Sequence, residues 1–252
     1  MSQEAQMRMS SRVSTGVTGL DELLEGGIPR GGTYLITGST GTGKSIFAMQ
    51  FIYKGIVDQG EPGVFIAMDE TPSKLKRHFS AFGWDLDKLE DEGKLAMVDA
   101  ISTRISAPSA EKYILRRNEI DALLYKASTV IGEIGAKRFV LDSIVPVAYQ
   151  YDNLFELRRD VQRFFFGVAQ LDCTSFVVTE IPGGSERLSR FDVEQFVADG
   201  IIVLGLEKRQ HTFVRTLMVR KMRGTSHSME IHEFTVGKDG IAVVQGRGRS
   251  GF

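Results

Sequence analysis

An α/β fold is predicted, with a mostly parallel sheet sandwiched by helices and antiparallel strands at its C-terminal end. Three observations predict it. Strand-like and helix-like segments alternate between residues 33 and 179, which implies parallel strands joined by crossover helices. A glycine-rich octapeptide, GSTGTGKS at 38–45, joins the first apolar strand to a segment of helical periodicity. Beyond residue 200 the helical spacing stops and several strand patterns follow one another.

Each element has its own signal. Residues 1–11, MSQEAQMRMSS, lack a period and are expected to form a flexible tail. One domain is expected over 12–245, followed by a second tail at 246–252. Residues 33–38, TYLITG, are short, apolar and β-branched, as a buried strand requires. Ile46, Met49, Tyr53, Ile56 and Val57 then recur at helical spacing. Further strands are predicted at 63–69, 94–99, 138–142 and 174–179, with helices near 72–82, 115–135 and 154–171. In the last helix Leu154, Leu157, Val161, Phe164, Val168 and Leu171 mark one apolar stripe, and its phenylalanines are expected in the core. Segments 200–207, 212–222, 229–236 and 240–245 read as antiparallel strands, with Lys238-Asp239-Gly240 as a hairpin signal.

Composition narrows the function classes. A chain of 252 residues with 42% hydrophobic and 25% charged residues suits one packed globular domain, not a disordered scaffold. With 31 Lys and Arg against 32 Asp and Glu, the net charge of −1 gives no global attraction to nucleic acid or anionic membrane. Cys173 is the lone cysteine and cannot close an internal disulfide. No apolar leader precedes the first structured residues, so a cytoplasmic protein is expected. Apolar runs such as 201–206 fall well short of the roughly 18 residues that span a bilayer, and no membrane contact is expected.

The octapeptide matches G-x-x-x-x-G-K-[ST] in full, and a strand before it with a helix after it is the context a phosphate-binding loop needs. Average residue usage produces this pattern in roughly one chain in a hundred of this length, so the match is specific. Gly38, Gly41 and Gly43 let backbone N–H groups converge on phosphate oxygens at a helix N-terminus. The nucleotide-binding set is Ser39, Thr40, Gly41, Thr42, Gly43, Lys44, Ser45 and Ile46. Lys44 is expected to reach the β- and γ-phosphates, and the Ser45 hydroxyl to ligate Mg²⁺. Asp142, at the end of the apolar run RFVLD, is expected to hold the same ion through water. Asp69-Glu70 ends another strand, where a carboxylate can orient the water that attacks the γ-phosphate. Spacing alone fits capping of the next helix equally well.

These segments resemble the KaiC-like ATPases of the RecA/RadA superfamily. The resemblance runs from RVSTGVTGLDELLEGGIPRGG at 12–32 through GSTGTGKS, FIAMDETP, RFVLDS and VTE to KMRGTSH at 221–227, and covers roughly 12 to 245. It implies a RecA-like P-loop core that binds ATP or ADP with Mg²⁺, and it places Asp69 and Glu70 at the family's catalytic acidic pair, Glu70 being the better candidate for orienting water. It also implies that Lys221 and Arg223 reach the γ-phosphate bound to a neighbouring subunit, with Met222, Thr225, Ser226 and His227 in the same nucleotide-contacting strand end. Side chains two apart on a strand share a face, so Lys-x-Arg fits that role. Without the resemblance a solvated strand end is the simpler reading. The implied assembly is a homo-hexameric ring.

Two departures stand out. The circadian clock member carries two such domains, whereas one is read here. Its phosphoacceptor Ser-Thr pair falls near Gln195-Phe196, where neither side chain has a hydroxyl.

Other residues receive plainer readings. His78, His211 and His232 lack metal-ligand spacing. Cys173 is expected to be a buried, inert thiol, and Trp84 a packing residue. Arg104, Lys112, Arg116 and Arg117 are interrupted by Glu111 and Glu119, as on a solvated face. The loops at 144–153 and 181–192 follow strands where recombinases bind DNA, and the second holds Arg187 and Arg190. Two arginines and a near-neutral chain weigh against DNA. The reading is a ring-shaped Mg²⁺-dependent ATPase whose slow hydrolysis serves regulation through a protein partner. The alternatives are a recombinase-like binder of single-stranded DNA, a nucleotide-gated scaffold and an autokinase.

Overall fold

The computed structural model describes residues 12–115, 119–181 and 188–244. The tails expected at 1–11 and 246–252 lie outside these residues, as do Arg116, Arg117 and Arg187. Among them, β1 (Arg12–Val13) pairs antiparallel with β2 (Ile28–Pro29) around a short helix, α1 (Leu20–Leu23). Asp21 organises this lead-in by accepting hydrogen bonds from the Ser14 hydroxyl, the Thr15 amide and the Thr15 hydroxyl at 2.6–2.8 Å.

The alternating part then runs through β3 (Thr33–Gly38), α2 (Lys44–Gln59), β4 (Gly63–Ala67), α3 (Pro72–Phe79), α4 (Leu86–Asp91), β5 (Leu95–Asp99) and β6 (Tyr113–Ile114). It continues with α5 (Ile120–Ile134), β7 (Arg138–Asp142), α6 (Leu154–Val168), β8 (Thr174–Val178) and α7 (Glu194–Val197). The chain closes with β9 (Gly200–Arg209), β10 (Thr212–Met222), β11 (His232–Gly237) and β12 (Gly240–Val243). All but β1 and β2 join one sheet, in the order β12-β11-β10-β9-β3-β8-β7-β4-β5-β6. Every pair from β9 across to β6 is parallel, and β9 to β12 form antiparallel pairs. The expected hairpin closes with Gly237 opposite Gly240.

Both faces of the sheet are covered, which is why its central strands are buried at every position and mostly apolar. Val140, Phe176 and Ile36 face α2, where Phe176 meets the Phe47 and Phe51 rings edge-on at 5.5 and 4.8 Å. Phe139, Leu141, Val177 and Leu35 face α5 and α6. Trp84 is buried as expected, stacked on Tyr53 and Phe79.

Several expectations need correction. The helix expected near 115–135 begins only at Ile120, because Tyr113–Ile114 pairs with β5 as an edge strand too short to show a period. The segment 72–82 ends its α-helix at Phe79 and tightens into a 3₁₀ turn at Ser80–Phe82. In α6, Phe164 and Phe165 are buried, whereas Leu154, Phe155 and Phe166 are exposed. A core-facing stripe covers only part of a helix, and these three fall outside it. Val57, at the end of α2, is exposed for the same reason.

Candidate functional site

The glycine loop between β3 and α2 adopts a backbone that its sequence makes affordable. Gly41 and Gly43 have φ of 83° and 101°, a region that residues with a Cβ rarely enter. The Thr42 hydroxyl donates to the Ser39 carbonyl at 2.8 Å, closing the loop on itself. Lys44 folds back over it, with Nζ donating to the carbonyls of Gly38 and Ser39, both at 2.9 Å. Burial draws the Lys44 ammonium below its ordinary pKa, while Glu180, Asp142 and Asp69 oppose the shift.

A cleft of about 500 Å³ opens at this loop. Thr40, Gly41, Gly43, Lys44, Ser45 and Ile46 line one side, and Asp69 and Asp142 line another. Ser39 and Thr42 are outside this lining, joined to each other by the hydrogen bond that closes the loop. Asp142 ends β7 and takes a hydrogen bond from the Ser45 hydroxyl. Burial pushes its carboxyl up to about 6; Asp69 and Glu70 add to the rise, and Ser45 and Lys44 counter it. Asp69 accepts a 2.6 Å hydrogen bond from the Ser143 hydroxyl. Glu70 stands beside the cleft, not in its lining, and is ion-paired with Lys74, with His78 Nδ1 3.4 Å from its other oxygen.

Ser45 and Asp142 offer hard oxygen ligands side by side, which suits an ion that keeps waters and takes its remaining ligands from phosphates. Among the described residues, no group of three or more His, Cys, Asp or Glu is placed to hold a metal. The residues therefore fit Mg²⁺ arriving with a nucleotide, not a resident cage.

The residues expected to serve a neighbour lie elsewhere. None of Lys221, Met222, Arg223, Thr225, Ser226 and His227 lines the cleft of its own chain. A bulge between Val219 and Lys221 breaks the register of β10, and Arg223 stands just beyond the strand. The two cations still reach one place, the segment Gln195–Asp199. Met222 turns its side chain into the core, leaving only backbone for a ligand. Thr225 accepts a hydrogen bond from Arg12 at 2.9 Å, and the His227 ring contacts the Ser228 carbonyl at 3.1 Å.

Sequence reasoning missed Glu180, Arg215 and Tyr149, all in the cleft lining. Glu180 follows β8 as Asp69 follows β4, so the carboxyl-end rule that selected Asp142 would have found it. Its carboxylate takes the Thr40 hydroxyl. Arg215 sits mid-strand in β10, exposed toward the cleft, with no side-chain hydrogen bond or ion pair among the described residues. Only the folding of β10 beside β9 brings it there.

The loop, the start of its helix and the two carboxylates at the strand ends converge on one cleft, and comparison with known proteins gives the family of the chain. The family described as the KaiC ATPase matches residues 13–248. The chain belongs to the KaiC ATPase family. This KaiC-family chain is 42% identical over 234 residues to a UPF0273 protein from Methanocaldococcus jannaschii, covering 92% of this chain and 96% of that one. It is similar to the crystal structure of a KaiC-like protein from Pyrococcus horikoshii, with a TM-score of 0.81, 40% identity, and coverage of 93% and 99% of the two chains. The circadian clock oscillator protein KaiC of Parathermosynechococcus lividus is 36% identical over 244 residues, which is 95% of this chain but 43% of that protein. The RecA-type KaiC fold predicted from sequence is thus the observed one. Among the described residues, no helix is long and apolar enough to cross a membrane.

Proposed function

We propose that this chain hydrolyses ATP with Mg²⁺ at the interfaces of a ring of identical subunits, six in number, and that turnover serves a regulatory or signalling role through a protein partner. One observation carries the reading. Lys44, Ser45 and Asp142 converge on a single cleft, whereas Lys221 and Arg223 stand together outside it. A phosphoryl-transfer site needs added cations at the γ-phosphate, and a neighbouring copy supplies them in this arrangement.

The chain's own residues divide the work. Lys44 leaves the carbonyls of Gly38 and Ser39 for phosphate oxygens, a stronger, charge-assisted exchange. Arg215 offers the cleft a second cation from β10. Asp69, already holding Ser143, fixes the turn after β4, and Glu70 orients the attacking water once it leaves Lys74. Ser45 and Asp142 would hold Mg²⁺, which when bound neutralises charge developing on the phosphates.

Mass by light scattering, with ATP, with ADP and without nucleotide, tests the assembly. A sixfold particle that turns over ATP supports the reading. A monomer that hydrolyses ATP at full rate contradicts it.

A further inference from the structure

The reach of Lys221 and Arg223 is set by a small cradle within their own subunit. Lys221 Nζ donates to the carbonyls of Gln195, Phe196 and Ala198 at 3.1, 3.4 and 2.6 Å. An ammonium has three N–H groups, so all are occupied at home. Arg223 differs. One guanidinium nitrogen faces Asp199 Oδ1 at 3.3 Å and another donates to the Phe196 carbonyl at 3.2 Å. A guanidinium has five N–H donors, and this side chain is 57% exposed, so donors remain for an incoming phosphate.

Asp199 is itself held from both sides. Its other oxygen accepts the Thr33 amide at 3.0 Å and its own amide donates to the Thr33 carbonyl at 2.8 Å, at the start of the strand that ends in the phosphate loop. Its carbonyl accepts the Arg223 amide at 2.9 Å. The short helix α7, just before it, is pinned at its far end by Glu194, which is fully buried and accepts the Thr179 hydroxyl at 3.1 Å. Thr179 lines the subunit's own cleft. The helix is therefore a strut between that cleft and the two cations.

We propose that Asp199 is the positioning residue for the Arg223 guanidinium, that Lys221 ties the same segment, and that this cradle aims Arg223 at the neighbour's γ-phosphate. This rests on the shared-site reading above. Asp199 lies outside the lining of its own cleft; it acts through Arg223, so its loss resembles the loss of Arg223 and not of Lys44. Asparagine at 199 keeps an acceptor for the Thr33 amide and removes the charge facing Arg223.

The test is a complementation pattern. Asp199→Asn is expected to bind ATP with parental affinity and to lower kcat about 10- to 100-fold, the scale of a misplaced catalytic group. Mixed with Lys44→Ala, it should regain activity, because Lys44→Ala subunits bring an intact Arg223 and cradle to an intact phosphate loop. Mixed with Arg223→Ala, it should regain nothing. Parental kcat, recovery with Arg223→Ala, or failure to recover with Lys44→Ala while Arg223→Ala does recover with it, overturns the role of Asp199 alone. No recovery between Lys44→Ala and Arg223→Ala removes the shared site, and this proposal with it. Should Asp199→Asn fail to fold, Asp199→Glu, with its displaced charge, enters the same mixtures with the same expected pattern.

Discussion

Gly55 of α2 packs on the guanidinium of Arg138 in β7 so closely that a Cβ at residue 55 would stand 2.1 Å from Nε. Arg138 is 1% exposed, pairs with Glu61 at 2.8 Å, and donates to the carbonyls of Ser14 and Phe51 at 3.0 and 2.8 Å. It lies over the Phe51 ring at 4.5 Å. One buried cation thus ties the phosphate-loop helix, the N-terminal lead-in and the strand that ends in Asp142.

Gly55→Ala is expected to destabilise the fold by about 2 kcal/mol. Alanine gains about 1 kcal/mol of helix propensity, but overpacking costs about 1–3 kcal/mol or more, and a buried arginine held by three residues yields poorly. Urea unfolding measures the balance. An unchanged or raised midpoint would show that Arg138 moves aside freely.

Lys44→Ala should largely abolish ATP binding. The loop loses the cation that now rests on its carbonyls, and Arg215 approaches from a different strand. Titration calorimetry reads this directly, and parental affinity would contradict the phosphate-site assignment.

Glu70→Gln is expected to retain ATP and to lower hydrolysis by a factor on the order of 10², the contribution of a positioned acid-base group. Asp69→Asn tests the alternative, since Asp69 is the member of the pair in the cleft lining. A Glu70→Gln variant of parental rate, beside a slow Asp69→Asn, transfers the role to Asp69.

Cys173 is buried, with Sγ donating to the Ala136 carbonyl at 3.2 Å, and burial pushes its thiol from 9.0 up to about 12. The folded state therefore holds this proton more tightly than the unfolded chain. The resulting stability is complete below pH about 9 and is lost as pH rises toward 12. A thiol reagent at pH 8 should label the chain only on unfolding, and Cys173→Ala should lose less stability above pH 9 than the parent. Rapid labelling of the native protein would contradict the burial.

Most of the sheet was legible because its strands are buried on both faces, and continuous apolar runs announce that position. The phosphate loop was legible because its chemistry is local: eight consecutive residues carry it. What escaped has non-local causes. Tyr113–Ile114 is a strand only because β5 lies beside it, and Arg215 enters the site only through the pairing of β10 with β9. Asp199 carries no motif; the role proposed for it depends on Thr33 and Arg223 meeting it from distant parts of the chain. α4 did leave a sequence signal, since the Asp85 side chain caps it by accepting the Lys88 amide at 3.0 Å.

In the proposed assembly one subunit completes the ATP site of the next. Arg223→Ala should bind ATP yet hardly hydrolyse it, given that a cation supplied in trans contributes about 10³–10⁵ in rate. Lys44→Ala is expected to be inactive for want of nucleotide. The decisive measurement is the ATPase rate of mixed assemblies of these two variants, with mixing verified by mass. Partial recovery is expected, as an intact phosphate loop from one variant meets an intact Arg223 from the other. Mixed assemblies that remain as inactive as either parent variant would contradict it.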